Sequence, residues 1–202
     1  MATVAWDEML SELAPFLPGA PDITLRNALR SSASNFLAQT HIWRDEFYPF
    51  ETTVGVPDYE VYSEAMVESV LWVVVGDQEI SQTDPRRVRK RSINDRGHPT
   101  AFWIQEGRKL RLFPTPDDVY TVSGWVALKP SSRSRGLEDW IVDLSKDAII
   151  SGAIHKVAQV PNKGWSDPQL AQYHKQLHDR AISNARVKDV QGVKQSVRMR
   201  NP

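Results

Sequence analysis

The chain has 202 residues, with 25 basic and 25 acidic side chains and no cysteine. A formal charge of zero sets up no global field toward nucleic acid or an anionic membrane. The missing thiols exclude disulfides, thiolate catalysis and cysteine-bound zinc or iron–sulfur clusters.

Hydrophobic content of 41%, with seven Trp, six Phe and five Tyr, is enough for one or two packed domains. The stretch MATVAWDEMLSELAPFL has no basic start leading into an apolar run, so no signal peptide is expected. The longest apolar run, Val70–Val75, is far short of a bilayer span, and no membrane partner is expected.

Val4, Met9, Leu13 and Phe16 stand near helical spacing, with Asp7 and Glu8 at the favourable amino-terminal end. They predict a short amphipathic helix over 4–16, ended by Pro15 and Pro18-Gly19. Asp22 or Thr24 is then placed to cap a longer helix over about 23–41. Its apolar stripe is Leu25, Leu29, Ala33, Phe36, Leu37 and Thr40.

From His41 the chain reads as extended. Residues 52–57 fit a strand and turn. Met66–Val75 is rich in β-branched residues and meets Gly76-Asp77, a hairpin turn leading to Gln78–Ser81. Thr83-Asp84-Pro85 is a helix-start signal for a short helix over about 84–92.

Period-two alternation then appears three times: at Phe102 and Ile104, at Leu110 and Leu112, and at Tyr120, Val122, Val126 and Leu128. Glu106-Gly107 offers a tight turn between the first two, and Pro114–Asp118 a longer loop before the third. The pattern predicts a three-stranded antiparallel meander over 99–130.

SSRSRG at 131–136 is a polar connector. Ile149, Ala153, Val157 and Val160 predict a helix over about 145–160, stopped at Pro161–Gly164. Ser166-Asp167-Pro168 starts the last helix, with Leu170, Tyr173, Leu177, Ala181 and Asn184 as its face and an end near Val187. A flexible basic tail is expected over 189–202 unless a partner orders it.

The fold class is therefore α+β: a helical bundle built from both terminal segments, with an inserted antiparallel β-sheet domain. The expected divisions are 1–45, 46–130 (with the short helix), 131–188 and 189–202.

Catalytic patterns are scarce. There is no GxSxG elbow, GxxxxGK[ST] loop, GxGxxG turn or HExxH pair. His174 and His178 share a helix face, which two zinc-binding imidazoles would need. No third ligand is near, so packed or solvated histidines are the reading, with no metal and no cofactor. His41, His98 and His155 are isolated and read the same way. Asp84, Asp95, Glu106, Asp117 and Asp118 flank the sheet, where a carboxylate pair would suit a cell-wall glycan hydrolase. Polar loops carry such acids for solubility alone. The strongest charge feature is Arg86, Arg87, Arg89, Lys90, Arg91 and Arg96, either a solvated face or a surface toward DNA or an acidic partner.

Three blocks in order carry a resemblance: LRNALRSSASNFLAQTHIWRDEF at 25–47, AFWIQEGRKLRLFPTPDD at 101–118, and ISGAIHKVAQVPNKGWSDPQLAQYHKQLHDRAISNA at 150–185. Together the chain resembles the head-to-tail adaptor (connector) proteins of tailed bacteriophages, the tail-tubular-protein-A-like group. The resemblance implies a virion neck protein, assembled in the host cytoplasm, with no catalytic residues.

It implies a ring, usually of twelve copies, bound to the portal protein and to the downstream tail or nozzle protein. Genomic DNA would pass through its channel without sequence-specific binding. In that setting the small residues Ala148, Gly152 and Ala153 are candidates for the subunit interface. Lys188, Lys194, Arg198 and Arg200 are candidates for a portal-contacting tail, and the tryptophans for interface anchors or core filling. The alternative is a nucleic-acid-binding module that uses the 86–96 stretch.

Overall fold

The computed structural model describes residues 2–88, 95–105 and 109–199; at Arg87 and from Lys188 onward it describes the backbone only. The chain is divided into two units, one from residues 1–43 with 129–202 and one from residues 44–128.

The first unit is helical. A two-stranded antiparallel pair, β1 (Thr3–Ala5) and β10 (Gly136–Glu138), sets Val4 opposite Leu137. Helix α1 (Trp6–Leu13) continues into a 3-10 turn at Ala14–Phe16, where Pro15 removes a donor that the α-helix would use. Helix α2 (Asp22–Thr40) buries Leu25, Leu29, Ala33, Phe36, Leu37 and Thr40, the stripe read from the sequence. Neither Asp22 nor Thr24 caps it. Pro21 holds the cap position with no side-chain bond, and its carbonyl accepts from the Thr24 and Leu25 amides. His41 ends α2 in the left-handed region, φ 51°.

Helix α4 (Asp139–Ala158) begins six residues before the predicted start, because Ile141 and Val142 are already buried. Helix α5 (Pro168–Met199) starts where expected: Asp167 Oδ1 accepts from the amides of Gln169 and Leu170 at 2.9 and 3.0 Å. It passes the expected end near Val187 and is helical to Met199. Its buried positions are Ala171, His174, His178 and Ile182, whereas Tyr173 is 59% exposed. The buried face is thus turned by one residue from the predicted one.

The second unit is an eight-stranded sheet. Its strands are β2 (Arg44–Glu46), β3 (Phe50–Glu51), β4 (Asp58–Glu60), β5 (Met66–Val75), β6 (Gln78–Gln82), β7 (Ala101–Ile104), β8 (Lys109–Phe113) and β9 (Thr121–Lys129). Their order is β2-β9-β5-β6-β7-β8-β4, with β3 also on β9. No strand forms at 52–57: β3 ends at Glu51, a turn follows at 54–55, and β4 is a strand that the sequence pattern does not show.

The β5–β6 hairpin turns at Gly76, φ 60°, a conformation glycine adopts without strain. The β6–β7 pair is parallel. Such a pair needs a long crossover, here residues 83–100, which hold the short helix α3 (Pro85–Val88).

The three-stranded meander is corrected. β7 and β8 pair antiparallel, Phe102 opposite Leu112, but the other edge of β8 is taken by β4. The chain after Phe113 crosses to pair β9 with β5 instead. The expected turn at Glu106-Gly107 lies outside the described residues. The alternation itself holds: Phe102, Leu110, Leu112, Val122, Val126 and Leu128 are buried.

Candidate interaction surfaces

In the helical unit, α2, α4 and α5 meet at Gly152. A Cβ there would lie 2.2 Å from Ser32 Oγ and 2.7 Å from His178 Nδ1. His178 Nδ1 donates to the Ala148 carbonyl at 2.8 Å, which leaves Nε2 to accept from Asn35 Nδ2 at 3.3 Å. Asn35 Oδ1 accepts from Gln39 Nε2 at 3.0 Å. Gln39 in turn accepts from the Arg186 guanidinium through its carbonyl and side-chain oxygens, at 2.8 and 3.1 Å. Burial pushes the His178 imidazole below its ordinary value; the Ala148 carbonyl and Asp179 oppose the shift.

This junction holds residues from two of the sequence readings. Ala148, Gly152 and Ala153 are buried in the single chain: Gly152 admits α2 and α5, and Ala148 lies on the wall of the space between α4 and α5. Both His178 nitrogens have protein partners, so no lone pair is left for a metal, and no metal-binding group of three occurs among the described residues.

Beside the junction, a groove of about 480 Å³ runs between α4 and α5, closed by the end of α1 and the 3-10 turn. Phe16, Ile150, Ile154 and Leu177 form its apolar wall, with Glu12 and Asp147 at the rim. His174 lines it, only 7% exposed, with its ring edge-on to Phe16 and no partner on Nδ1. Desolvation lowers its pKa.

The sheet unit carries a different surface. The β5–β9 pairing brings Trp72 and Trp125 into a near-parallel stack, 6.4 Å between centroids and 11° between planes, with Trp72 40% exposed. In sequence these two are 53 positions apart and read as single aromatics. Gly124 makes the stack possible, since a Cβ there would lie 2.2 Å from the Trp72 carbonyl. A small cavity of about 160 Å³ lies among Val88, Trp103, Arg111 and Phe113. Its cation is already engaged: Arg111 sits over the Trp103 ring and 3.6 Å from Asp58.

The acids expected to flank the sheet hold turns. Asp84 caps α3 by accepting from the Arg86 amide, and Asp117 accepts from the Tyr120 hydroxyl at 2.7 Å. Asp118 accepts from the Val119 amide, and the Asp95 carbonyl from the Thr115 amide. Glu106 lies outside the described residues.

Of the basic stretch, Arg86 stands on α3, and Arg96 bridges to Thr115 with its guanidinium beside Gly55. The Arg87 side chain, Arg89, Lys90 and Arg91 lie outside what is described. Lys188, Lys194 and Arg198 stand on the last turns of α5, and Arg200 lies outside the described residues.

The family model for SU10 adaptor proteins matches residues 5–200, across both units. The chain belongs to the SU10 adaptor protein family. No curated protein matches it. Family membership makes this adaptor a structural component of a phage virion, one that works by contact with other virion proteins such as portal and tail. No helix among its described residues is long and apolar enough to cross a membrane. For such a protein the groove and the tryptophan stack are the natural surfaces to consider, since aromatic and apolar anchors dominate interface energetics.

Proposed function

We propose that this adaptor forms a ring, of twelve copies in the tail-tubular-protein-A-like manner, between the portal and the tail in the neck of the virion. The ring docks the tail and leaves a channel through which genomic DNA passes without sequence-specific binding. The observation that carries the reading is the family match over nearly the whole chain. It is supported by two units that each present an exposed apolar surface, of different chemistry. A head-to-tail ring needs two unlike complementary faces on each subunit.

In this reading the carboxy-terminal segment with Lys188, Lys194, Arg198 and Arg200 reaches toward the portal. The sheet unit faces the tail, with the Trp72–Trp125 stack as its anchor. The Arg86–Arg96 stretch lies near the channel or an acidic partner. The adaptor assembles in the host cytoplasm and performs no catalysis.

Electron microscopy of the purified protein, alone and mixed with portal particles, tests this. The expected image is a ring of subunits on the portal, with or without prior oligomers in solution. A protein that stays monomeric and never decorates portal particles overturns the reading.

A further inference from the structure

The α4 surface beside the groove carries a row of carboxylates. Asp139, Asp143 and Asp147 are spaced by four residues, so they share one face of the helix, and all three are exposed. None forms an ion pair among the described residues; Lys146, on the same helix, is bound instead to Glu12 at 2.9 Å. Like charges at that spacing repel, so the row is mildly unfavourable in an isolated helix beyond its first turn.

Leu144, 64% exposed, stands three and four residues before Asp147 and Ala148, which line the groove, and so on the same side of α4. Inside the groove, the buried His174 presents an unsatisfied nitrogen. An apolar trough, an unpaired acidic rim and an unpartnered buried imidazole together describe a surface that is incomplete in the single chain.

The same unit holds a matching surface. Arg30 Nε donates to the Ser134 carbonyl at 3.2 Å, so its guanidinium lies at the 131–136 connector, whose Arg133 and Arg135 flank Ser134 in sequence and are exposed. None of these three arginines has a carboxylate partner among the described residues; the nearby Arg26 is already bound to Asp7. Ile23, 58% exposed, stands seven residues before Arg30 and so on the same face of α2.

We infer that the groove is filled by a second copy of this chain, whose Arg30–Arg133–Arg135 corner lies against the Asp139–Asp143–Asp147 row. Ile23 enters the apolar trough beside Leu144. The contact is head to tail, joining two different faces, and so propagates around a ring rather than ending at a dimer. It rests on the ring reading above and assigns the faces that close that ring. Opposite charges fix the register and exclude the reversed pairing.

Because the chain has no cysteine, the contact can be trapped cleanly. Leu144→Cys and Ile23→Cys variants, mixed on portal particles and oxidised, should give a covalent dimer that neither variant gives alone. Asp143→Arg/Asp147→Arg and Arg133→Asp/Arg135→Asp should each raise the concentration for half-assembly by about tenfold or more. The chain carrying all four changes should restore it.

Wild-type rings that form without the mixed disulfide, and charge variants that assemble like wild type, would overturn this contact and leave the ring standing. A wild type that never assembles overturns both. A salt titration of the wild type serves as a variant-free check, since exposed pairs weaken with ionic strength.

Discussion

Gly152 on α4 and His178 on α5 touch so closely that the imidazole occupies the space a side chain at 152 would need, 2.7 Å from its Cβ to Nδ1. The ring cannot swing away without losing its bonds to Ala148 and Asn35. Replacing Gly152 by alanine would normally favour a helix by about 1 kcal/mol. Here overpacking wins, at about 1–3 kcal/mol. Gly152→Ala should therefore lower the thermal midpoint of the purified protein. A raised midpoint would mean that the three-helix junction gives way easily.

The same junction predicts a pH dependence. The His178 imidazole is held below its ordinary value of 6.5 by burial, and His174 is shifted in the same direction. Protons therefore bind the unfolded chain first as the medium is acidified. Stability is fully present above about pH 6.5 and is lost as pH falls below it, through the lowered folded-state values. Among the charges around His178, Asp179 opposes the shift, and Lys156 and His155 add to it. Denaturation midpoints taken from pH 7.5 to 5 should fall, and His178→Asn should flatten the slope. Equal slopes in the two proteins would remove His178 as the cause.

Gly124→Ala should be the most damaging single methyl in the sheet unit. Its Cβ would press on the Trp72 carbonyl and the Phe47 ring, at 2.2 and 2.7 Å, and a backbone oxygen in a ladder cannot step aside. A loss of about 1–3 kcal/mol is expected by denaturant titration, together with an altered tryptophan spectrum as the Trp72–Trp125 stack shifts.

Trp72→Ala separates structure from partnership. The side chain is 40% exposed, so the loss in stability should exceed the aromatic pair's about 0.5–1.5 kcal/mol by the area it buries and stay below the about 3–5 kcal/mol of a fully buried tryptophan. If the stack anchors the tail, particles carrying this variant should keep the adaptor on the portal and fail to retain the tail in a sedimentation assay. Normal tail retention would assign the anchor elsewhere.

Asp167→Ala should remove two capping bonds at the start of α5 and cost about 1 kcal/mol, read as a lower denaturation midpoint with far-UV helicity retained.

The helical elements were largely legible from the sequence. The stripe from Leu25 to Thr40 and the Asp167-Pro168 start rest on local spacing and local capping, and both stand. Strand alternation was equally local, and Leu110, Leu112, Val122 and Val126 face inward as read.

Strand order was not legible. Whether β9 lies beside β8 or β5 is set by which edges β4 leaves open, and three residues of β4 carry no strong pattern of their own. The buried face of α5 was misplaced because His174 and His178 look polar in sequence. The cavity over Gly152 and a carbonyl partner make the His178 ring a core side chain. The tryptophan stack joins residues from two distant strands, a relation that no one-dimensional spacing carries.

The sheet unit begins at Arg44 and ends near Ala127, and these two residues sit directly opposite each other in an antiparallel ladder. The way in and the way out are thus the two legs of a single hairpin stem. Cutting there leaves two loose ends about 5 Å apart, a gap that a tight turn bridges. The chain can in principle lose, lengthen or exchange everything beyond that stem with little loop-closure cost to the helices.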